Sequence, residues 1–337
     1  MPPEYRPLDD DNARAYIDAL QLYDAYSEAL GDRKKYERRM RWQTHAGGYR
    51  YLVASTSLRG RRVNRSLGPD SKETRKIHDA YTRAQADAIS RLKLLETQYE
   101  KITRINRAIG LGSAPSIVID ILRQLENAGL YKKMIVIGTN AMYAYAGAAK
   151  VKFDTAVTAT QDLDLLWDSR NRVQLISPDP QGLLGVLKRA DPTFKKLASQ
   201  GYTVANAKGY QVDLIKRNEG FDNEAEPFQP WANEQDFWAV KTNNMDWLLS
   251  APRFSQVIVG ANGKMANMHT VDPRAFVLFK YWMSEQPDRD PGKARRDLSQ
   301  ARAVQSLIEE WMPHLSFNDL VPFPQRVRDM STKNPAA

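Results

Sequence analysis

Thr160-Gln161-Asp162-Leu163-Asp164-Leu165-Leu166-Trp167 alternates acidic and apolar residues before ending in a purely apolar run. A strand with that alternation carries Asp162 and Asp164 on one face and turns Leu163 and Leu165 into a core. The two carboxylates then stand about 7 Å apart along the strand, close enough to converge on one or two divalent ions. Taken alone, Asp-x-Asp is also common on solvated strand faces, so its meaning depends on the neighbouring sequence.

Two flanking stretches supply that context. Upstream, Ile135-Val136-Ile137-Gly138-Thr139-Asn140 is an apolar strand that enters a glycine turn and then a small-residue helix, Asn140 to Ala149. Glycine lets backbone approach a phosphate, and the N-terminus of the helix offers free N–H groups to an anion. Asn140 has an alternative structural role as the cap of that helix. Downstream, Tyr210-Gln211-Val212-Asp213-Leu214-Ile215 sets a third aspartate between apolar neighbours on a strand. An isolated buried carboxylate is costly, which points to a metal or a cationic partner for Asp213. An anion held at that turn also needs cations. Lys280 lies on an otherwise apolar helix, 273–283, and Lys293, Arg295 and Arg296 open the next one, so one or two of these are expected to face phosphate.

Around these motifs the pattern predicts an α/β (α+β) fold with a mixed sheet. A helix is expected over 12–30, then a hairpin-like unit made of a strand through Trp42, Tyr49, Tyr51 and Val53, a turn at Gly60 and a return strand at 63–67. A long polar helix follows over 71–109, and Gly110 to Pro115 is the best linker candidate. Ser116 is placed to cap a helix reaching Leu130, with strands at 134–137, 163–167, 202–206 and 210–216 and a helix over 181–199. The rest, from Val271, reads as helical. The expected division is a basic N-terminal unit over 1–110, an α/β core over 111–270 and a helical C-terminal region over 271–337.

The 337 residues, 42% hydrophobic and 26% charged, suit a folded chain. No stretch approaches the roughly 20 apolar residues of a membrane span, and the acidic, polar start is unlike a secretory leader. With no cysteine, disulfides, thiolate ligands and a cysteine nucleophile are excluded, and four scattered histidines do not make a zinc site. A cytoplasmic setting fits these features. Neither a Gly-x-x-x-x-Gly-Lys-Ser/Thr phosphate loop nor a Gly-x-Gly-x-x-Gly dinucleotide fingerprint is present.

The order strand-Gly-Thr-helix, Asp-x-Asp and later strand aspartate resembles the polymerase-β-type nucleotidyltransferase superfamily. The run IGTNAMYAYAGAAKVKFDTAVTATQDLDLLWD is similar to its bacterial stand-alone branch, the nucleotidyltransferase-like fold proteins, over about residues 116–300. Two features depart from the usual pattern: Thr139 replaces the second small residue of the turn, and the gap from Thr139 to Asp162 is long. The resemblance implies a nucleotidyltransferase-type mixed sheet with Asp162, Asp164 and Asp213 as catalytic, metal-holding residues. It further implies Mg2+ or Mn2+ as cofactor, a nucleoside triphosphate such as ATP as substrate, and phosphate contacts from Gly138, Thr139 and Asn140, with Lys280, Arg295 and Arg296 completing the nucleotide site. Two ions would then stabilise the entering and leaving oxygens of an in-line displacement.

Charge is uneven along the chain. Residues 31–107 hold twenty Lys/Arg against eight Asp/Glu, although the whole chain carries only +9. Such an excess suits a polyanion. Within it, Arg41, Trp42, Tyr49, Arg50, Tyr51, Arg61, Arg62 and Arg65 interleave cations with rings, as a surface that grips phosphates and stacks bases would. RNA is the expected acceptor, with tRNA one candidate. The alternatives are a protein or small-molecule acceptor, or a catalytically silent nucleic-acid-binding protein. Trp231, Trp238 and Trp247 with Phe228 and Phe237 are expected to be packing residues, and His269 structural.

Overall fold

A computed structural model of the chain describes residues 4–36, 39–58, 61–168, 182–218, 236–320 and 322–333, with side chains for all of these except 39, 56–58, 61, 62 and 333. The chain opens with β1 (Tyr5–Pro7), α1 (Asp10–Lys35), β2 (Arg39–Thr44), β3 (Arg50–Leu58), β4 (Arg61–Pro69) and α2 (Lys72–Ala108). Next come α3 (Ser116–Asn127), β5 (Met134–Ile137), α4 (Met142–Ala149), β6 (Val151–Phe153), α5 (Thr155–Thr158) and β7 (Asp162–Trp167). They are followed by α6 (Gly182–Ala190), β8 (Lys195–Lys196), β9 (Thr203–Ala205), β10 (Gln211–Arg217), β11 (Val240–Thr242) and α7 (Met245–Ser250). The last elements are β12 (Arg253–Val259), β13 (Met265–Val271), α8 (Pro273–Ser284), α9 (Pro291–Trp311), α10 (Gln325–Arg328) and α11 (Met330–Lys333).

The chain divides into two compact units, one of residues 15–105 and one of residues 1–14 with 106–337. In the smaller unit β2, β3 and β4 form an antiparallel sheet of three strands. The single first strand expected through Trp42, Tyr49 and Val53 is therefore two strands. Gly47 and Gly48, both with positive φ, turn the chain between them. Tyr26 stacks on Tyr99 at 4.8 Å, and Arg91 bridges to Glu28 and Asp32, so α1 and α2 are joined by both ring and charge contacts.

The larger unit is an α/β fold around a mixed sheet of eight strands, in the order β12-β13-β5-β7-β10-β9-β8, with β11 also on β10. β7 and β10 run parallel, whereas β5 and β7 are antiparallel. Alternation divides the core. Met134, Val136, Leu163, Leu165, Val212 and Leu214 pack toward α3 and α6, while Ile135, Ile137 and Leu166 pack toward α4, α8 and α9. Both long C-terminal helices start with the same local chemistry. Asp272 and Asp290 accept backbone N–H bonds as N-caps, and each is followed by a proline at the first helical position.

Several elements differ from expectation. Ser116 begins α3 without capping it, because Pro115 holds the N-cap position and makes no side-chain cap bond. Gly110 to Pro115 is not slack chain: Leu111 and Ala114 are buried, and Ala114 bridges to Gly260. Within 182–199 only Gly182–Ala190 is helical. The hairpin β12–β13, which builds one sheet edge, was not anticipated, nor was the β1–β6 pair. Gly60, Phe228, Trp231 and the side chains of Arg61 and Arg62 lie outside the described residues. No helix among the described residues is long and apolar enough to cross a membrane.

Asp236 shows how the segment before β11 is held. Its buried carboxylate accepts N–H bonds from Leu183 (2.6 Å), Leu184 (3.0 Å) and Phe237 (2.9 Å), and so anchors the start of α6. Asp236→Ala leaves those donors without this acceptor and should cost about 1–3 kcal/mol in thermal or denaturant unfolding. Burial outweighs the three N–H bonds and pushes the Asp236 carboxyl up to about 6. A raised folded-state value means stability that is fully present below the unfolded value near 4 and is lost as pH rises through 6. The penalty of the substitution should therefore be larger at pH 4.5 than at pH 7.5.

Candidate active site

The parallel register of β7 and β10 places Asp213 directly beside Asp164 and Gln211 beside Asp162. Because Leu163, Leu165, Val212 and Leu214 all turn to the α3/α6 side, the three aspartates emerge together on the opposite face, toward α8 and α9. All three line one cavity of about 330 Å3, together with Gly138, Thr139, Lys280, Arg289, Lys293, Arg296 and Asp297. Its remaining wall is apolar and includes Ile215, Met245, Phe279 and Met283.

The turn after β5 is fitted to the acidic cluster. Gly138 has φ of +67°, a left-handed conformation, and a Cβ at this position would fall on Oδ2 of Asp164 inside contact distance. Burial first, then the charges of Asp162 and Asp213, push the Asp164 carboxyl up to about 7, against the opposing pull of Lys280 and Arg289. Asp213 is also raised, mainly by burial and then by Asp162, while the Thr203 hydroxyl works against the rise by donating to its Oδ1 at 2.6 Å. Thr160 donates to Oδ1 of Asp162.

Facing the acids is a basic rim from α8, α9 and the turn between them. Lys280 Nζ lies 2.6 Å from Asp297 Oδ1, and Arg289 binds the other oxygen of Asp297 through Nε at 2.9 Å and Nη2 at 2.7 Å. Arg296 Nη2 donates to the Thr139 hydroxyl at 2.9 Å, and Gln300 Nε2 does so at 3.1 Å. Arg295, expected beside Arg296, is exposed and is not among the lining residues, since one step along a helix turns the side chain about 100° away. Asn140 also does not take the helix-cap role. Gly138 holds the N-cap position, and the buried Asn140 amide instead donates to the backbone oxygen of Asp162 at 2.6 Å, bracing β7 from behind.

Sequence reading missed Arg289, Gln300, Thr160 and Thr203. The hydroxyls carried no signal, and Arg289 sits in a turn, where no periodicity marks its direction. Asp297, close to Arg295 and Arg296 in sequence, pairs with Lys280 and Arg289. Among the aromatic residues, Phe237 is fully buried and Trp247 packs on Trp282 at 5.4 Å, as packing residues do. His269 Nδ1 lies 2.6 Å from the Ser255 hydroxyl across the β12–β13 pair.

In the smaller unit, Arg50 lies over the Trp42 ring at 5.0 Å and also reaches Asp70 at 3.7 Å. Trp42 further contacts His78, and Tyr51 meets His45 edge-on. Tyr49, by contrast, is 69% exposed. Arg65 is exposed and Arg41 half-buried. Thus Trp42 and Tyr51 are partly occupied within the unit, and Tyr49 is its most open ring among these.

Oxygen ligands of this kind suit a hard divalent ion such as Mg2+ or Mn2+. Among the described residues no three His, Cys, Asp or Glu side chains are already drawn into a set that could hold a metal. The three aspartates nonetheless share a face, a cavity and mutual repulsion, and the Thr160 and Thr203 hydroxyls each hold one oxygen that an ion would compete for. The donor set fits such an ion in kind, with those two hydroxyl bonds yielding.

The carboxylate cluster thus faces a rim of Lys and Arg across the Gly138-Thr139 turn. A family model described as nucleotidyltransferase matches residues 116–322, and the chain belongs to that family. No match was found among curated proteins or among solved structures.

Proposed function

We propose that this nucleotidyltransferase transfers a nucleoside monophosphate from a nucleoside triphosphate to an acceptor hydroxyl, with Mg2+ or Mn2+, in the manner of the polymerase-β superfamily. The observation that carries this reading is the convergence of Asp162, Asp164 and Asp213 on one cavity with the Gly138-Thr139 turn. Asp162 and Asp164 would hold the ions, whose chemistry is to neutralise charge on the triphosphate and on the displaced oxygen. Thr139 offers its hydroxyl to a phosphate oxygen. Both of its lone pairs are engaged by Arg296 and Gln300, so its proton is free to donate into the cavity. Lys280, Arg289, Lys293 and Arg296 supply cationic donors for the remaining oxygens.

Asp213 would receive the proton of the attacking hydroxyl on the carboxylate oxygen that Thr203 does not hold. The acceptor oxygen forms its bond to the α-phosphorus as the α–β anhydride bond breaks, and pyrophosphate leaves. RNA, including tRNA, is the proposed acceptor. The basic charge of residues 31–107, the exposed Tyr49 and Arg65 support it. The proposed setting is the cytoplasm.

Incubating the full chain with each labelled nucleoside triphosphate, Mg2+ and pools of cellular RNA, protein and metabolites tests both parts. Labelled RNA is the expected result. Label on protein or metabolite alone removes the RNA acceptor, and no binding of any nucleotide with Mg2+ by calorimetry leaves a silent nucleic-acid-binding protein.

A further inference from the structure

Asp297 lines the same cavity as the three aspartates, and a fourth carboxylate there invites the role of a fourth metal ligand. Its contacts say otherwise. Asp297 is 2% exposed, and both oxygens are taken up by cations: Oδ1 by Lys280 and Oδ2 by the Nε and Nη2 of Arg289. It stands on α9, across the cavity from the β7–β10 face.

We propose that Asp297 is a positioning residue that clamps Lys280 and Arg289 side by side as one triphosphate grip; this deepens the transferase reading and rests on it. Lys280 and Arg289 come from different elements, α8 and the turn after it, and share no backbone geometry that would fix their spacing. Two like charges set this close would repel, and a buried ammonium without a partner is expensive. A single carboxylate between them removes both problems, at the cost of one negative charge.

The clamp also leaves donors over. An ammonium has three N–H bonds and a guanidinium five. Asp297 accepts one from Lys280 and one from Arg289 Nε, with Arg289 Nη2 at ion-pair distance, so both cations keep N–H groups for a second set of oxygens. The second set is expected to be consecutive phosphates, because a shared carboxylate holds the two cations at neighbouring positions. Arg296, on the same helix, is steadied separately by Thr139, which makes the grip continuous with the glycine turn.

The test uses the full chain as wild type, Asp297→Asn, Arg289→Gln and the double variant, with inorganic tripolyphosphate and the four nucleoside triphosphates as ligands. Asp297→Asn keeps the volume but removes the shared charge. It should weaken tripolyphosphate binding roughly 10- to 100-fold, the range for losing charge-assisted hydrogen bonds. It should raise KM for the triphosphate by a similar factor with kcat changed far less, and leave inhibition by the matching nucleoside unchanged. A merely structural role would weaken nucleoside and triphosphate alike. Arg289→Gln should cost affinity in the wild type and little more in the Asp297→Asn background, since the two act through one contact.

Arg289 is partly exposed, so its substitution keeps a reading available if Asp297→Asn does not fold. Wild-type affinity for tripolyphosphate in either variant, or full additivity in the double, overturns the clamp while leaving the transferase intact. A wild type that binds neither tripolyphosphate nor any nucleoside triphosphate overturns the transferase reading and the clamp with it.

Discussion

Asp164→Asn is expected to abolish nucleotidyl transfer and at the same time raise the melting temperature. The two effects have one cause. Asp164 sits beside Asp213 across the parallel pair and two residues from Asp162 on the same strand face, in a place that burial alone would make unfavourable for charge. Its carboxyl is pushed up to about 7 from an unfolded value near 4. By linkage, its contribution to stability is fully present below pH 4 and is lost as pH rises through 7. At pH 7.5 or above the folded wild type therefore carries a repulsion that the asparagine variant does not. The gain should be about 0.5–2 kcal/mol, the usual scale on which functional sites are held below their stability optimum.

This gain should shrink as the pH is lowered toward 5, where the wild-type carboxyl is already protonated. It should also shrink when Mg2+ is added, because an ion bound to the folded wild type alone stabilises it. Calorimetric melts of both proteins at pH 5 and 8, with and without Mg2+, measure this. A variant that melts lower than wild type at pH 8 without metal, or that retains transfer within about tenfold, contradicts the assigned cluster.

Where the sequence could be read, it was read through periodicity. β7 and β10 place alternate residues on opposite faces, so spacing put Asp162 and Asp164 on one side, whereas Asp213 joined them only through the family resemblance; the structure has all three lining one cavity. The same reasoning worked for Leu163 and Leu165, which lie in the opposite core. It worked less well on helices. Lys280 lines the cavity as expected, yet Arg295 and Arg296 are adjacent and only Arg296 faces it. A run of neighbouring cations leaves the phase of the helix undetermined until its packing is known.

Asn140 shows a second limit. Its type and position suit a helix cap, but the chain had already turned at Gly138, and the freed amide was used across the gap to hold Asp162 in place. Tertiary demand overrode local preference. Arg289 shows a third limit, because its contact in the cavity is with Asp297, eight residues away on the next helix. The β12–β13 hairpin did carry a signal, a glycine-rich turn at 260–263 between apolar runs, and its strands pair in full register from Arg253 to Val259.

Gly138→Ala is expected to lower activity roughly 10²-fold, with an effect on stability opposite to that of Asp164→Asn. At φ of +67° an alanine pays backbone strain of about 1–2 kcal/mol. The new methyl would also meet Oδ2 of Asp164, and the nearest atoms after that belong to the same side chain. Asp164 must then swing aside or the turn must open, and a shift of about 1 Å at a reacting site is enough to cost roughly 10²-fold. The variant should melt lower than wild type, whereas Asp164→Asn melts higher, so geometry and charge are separable at one contact. A double-mutant cycle isolates the steric part. In an Asp164→Ala background the methyl meets no carboxylate, and Gly138→Ala should cost only the backbone strain. Equal destabilisation in both backgrounds would mean that the turn and the aspartate are not fitted to one another, and that Gly138 serves the chain's path rather than the site.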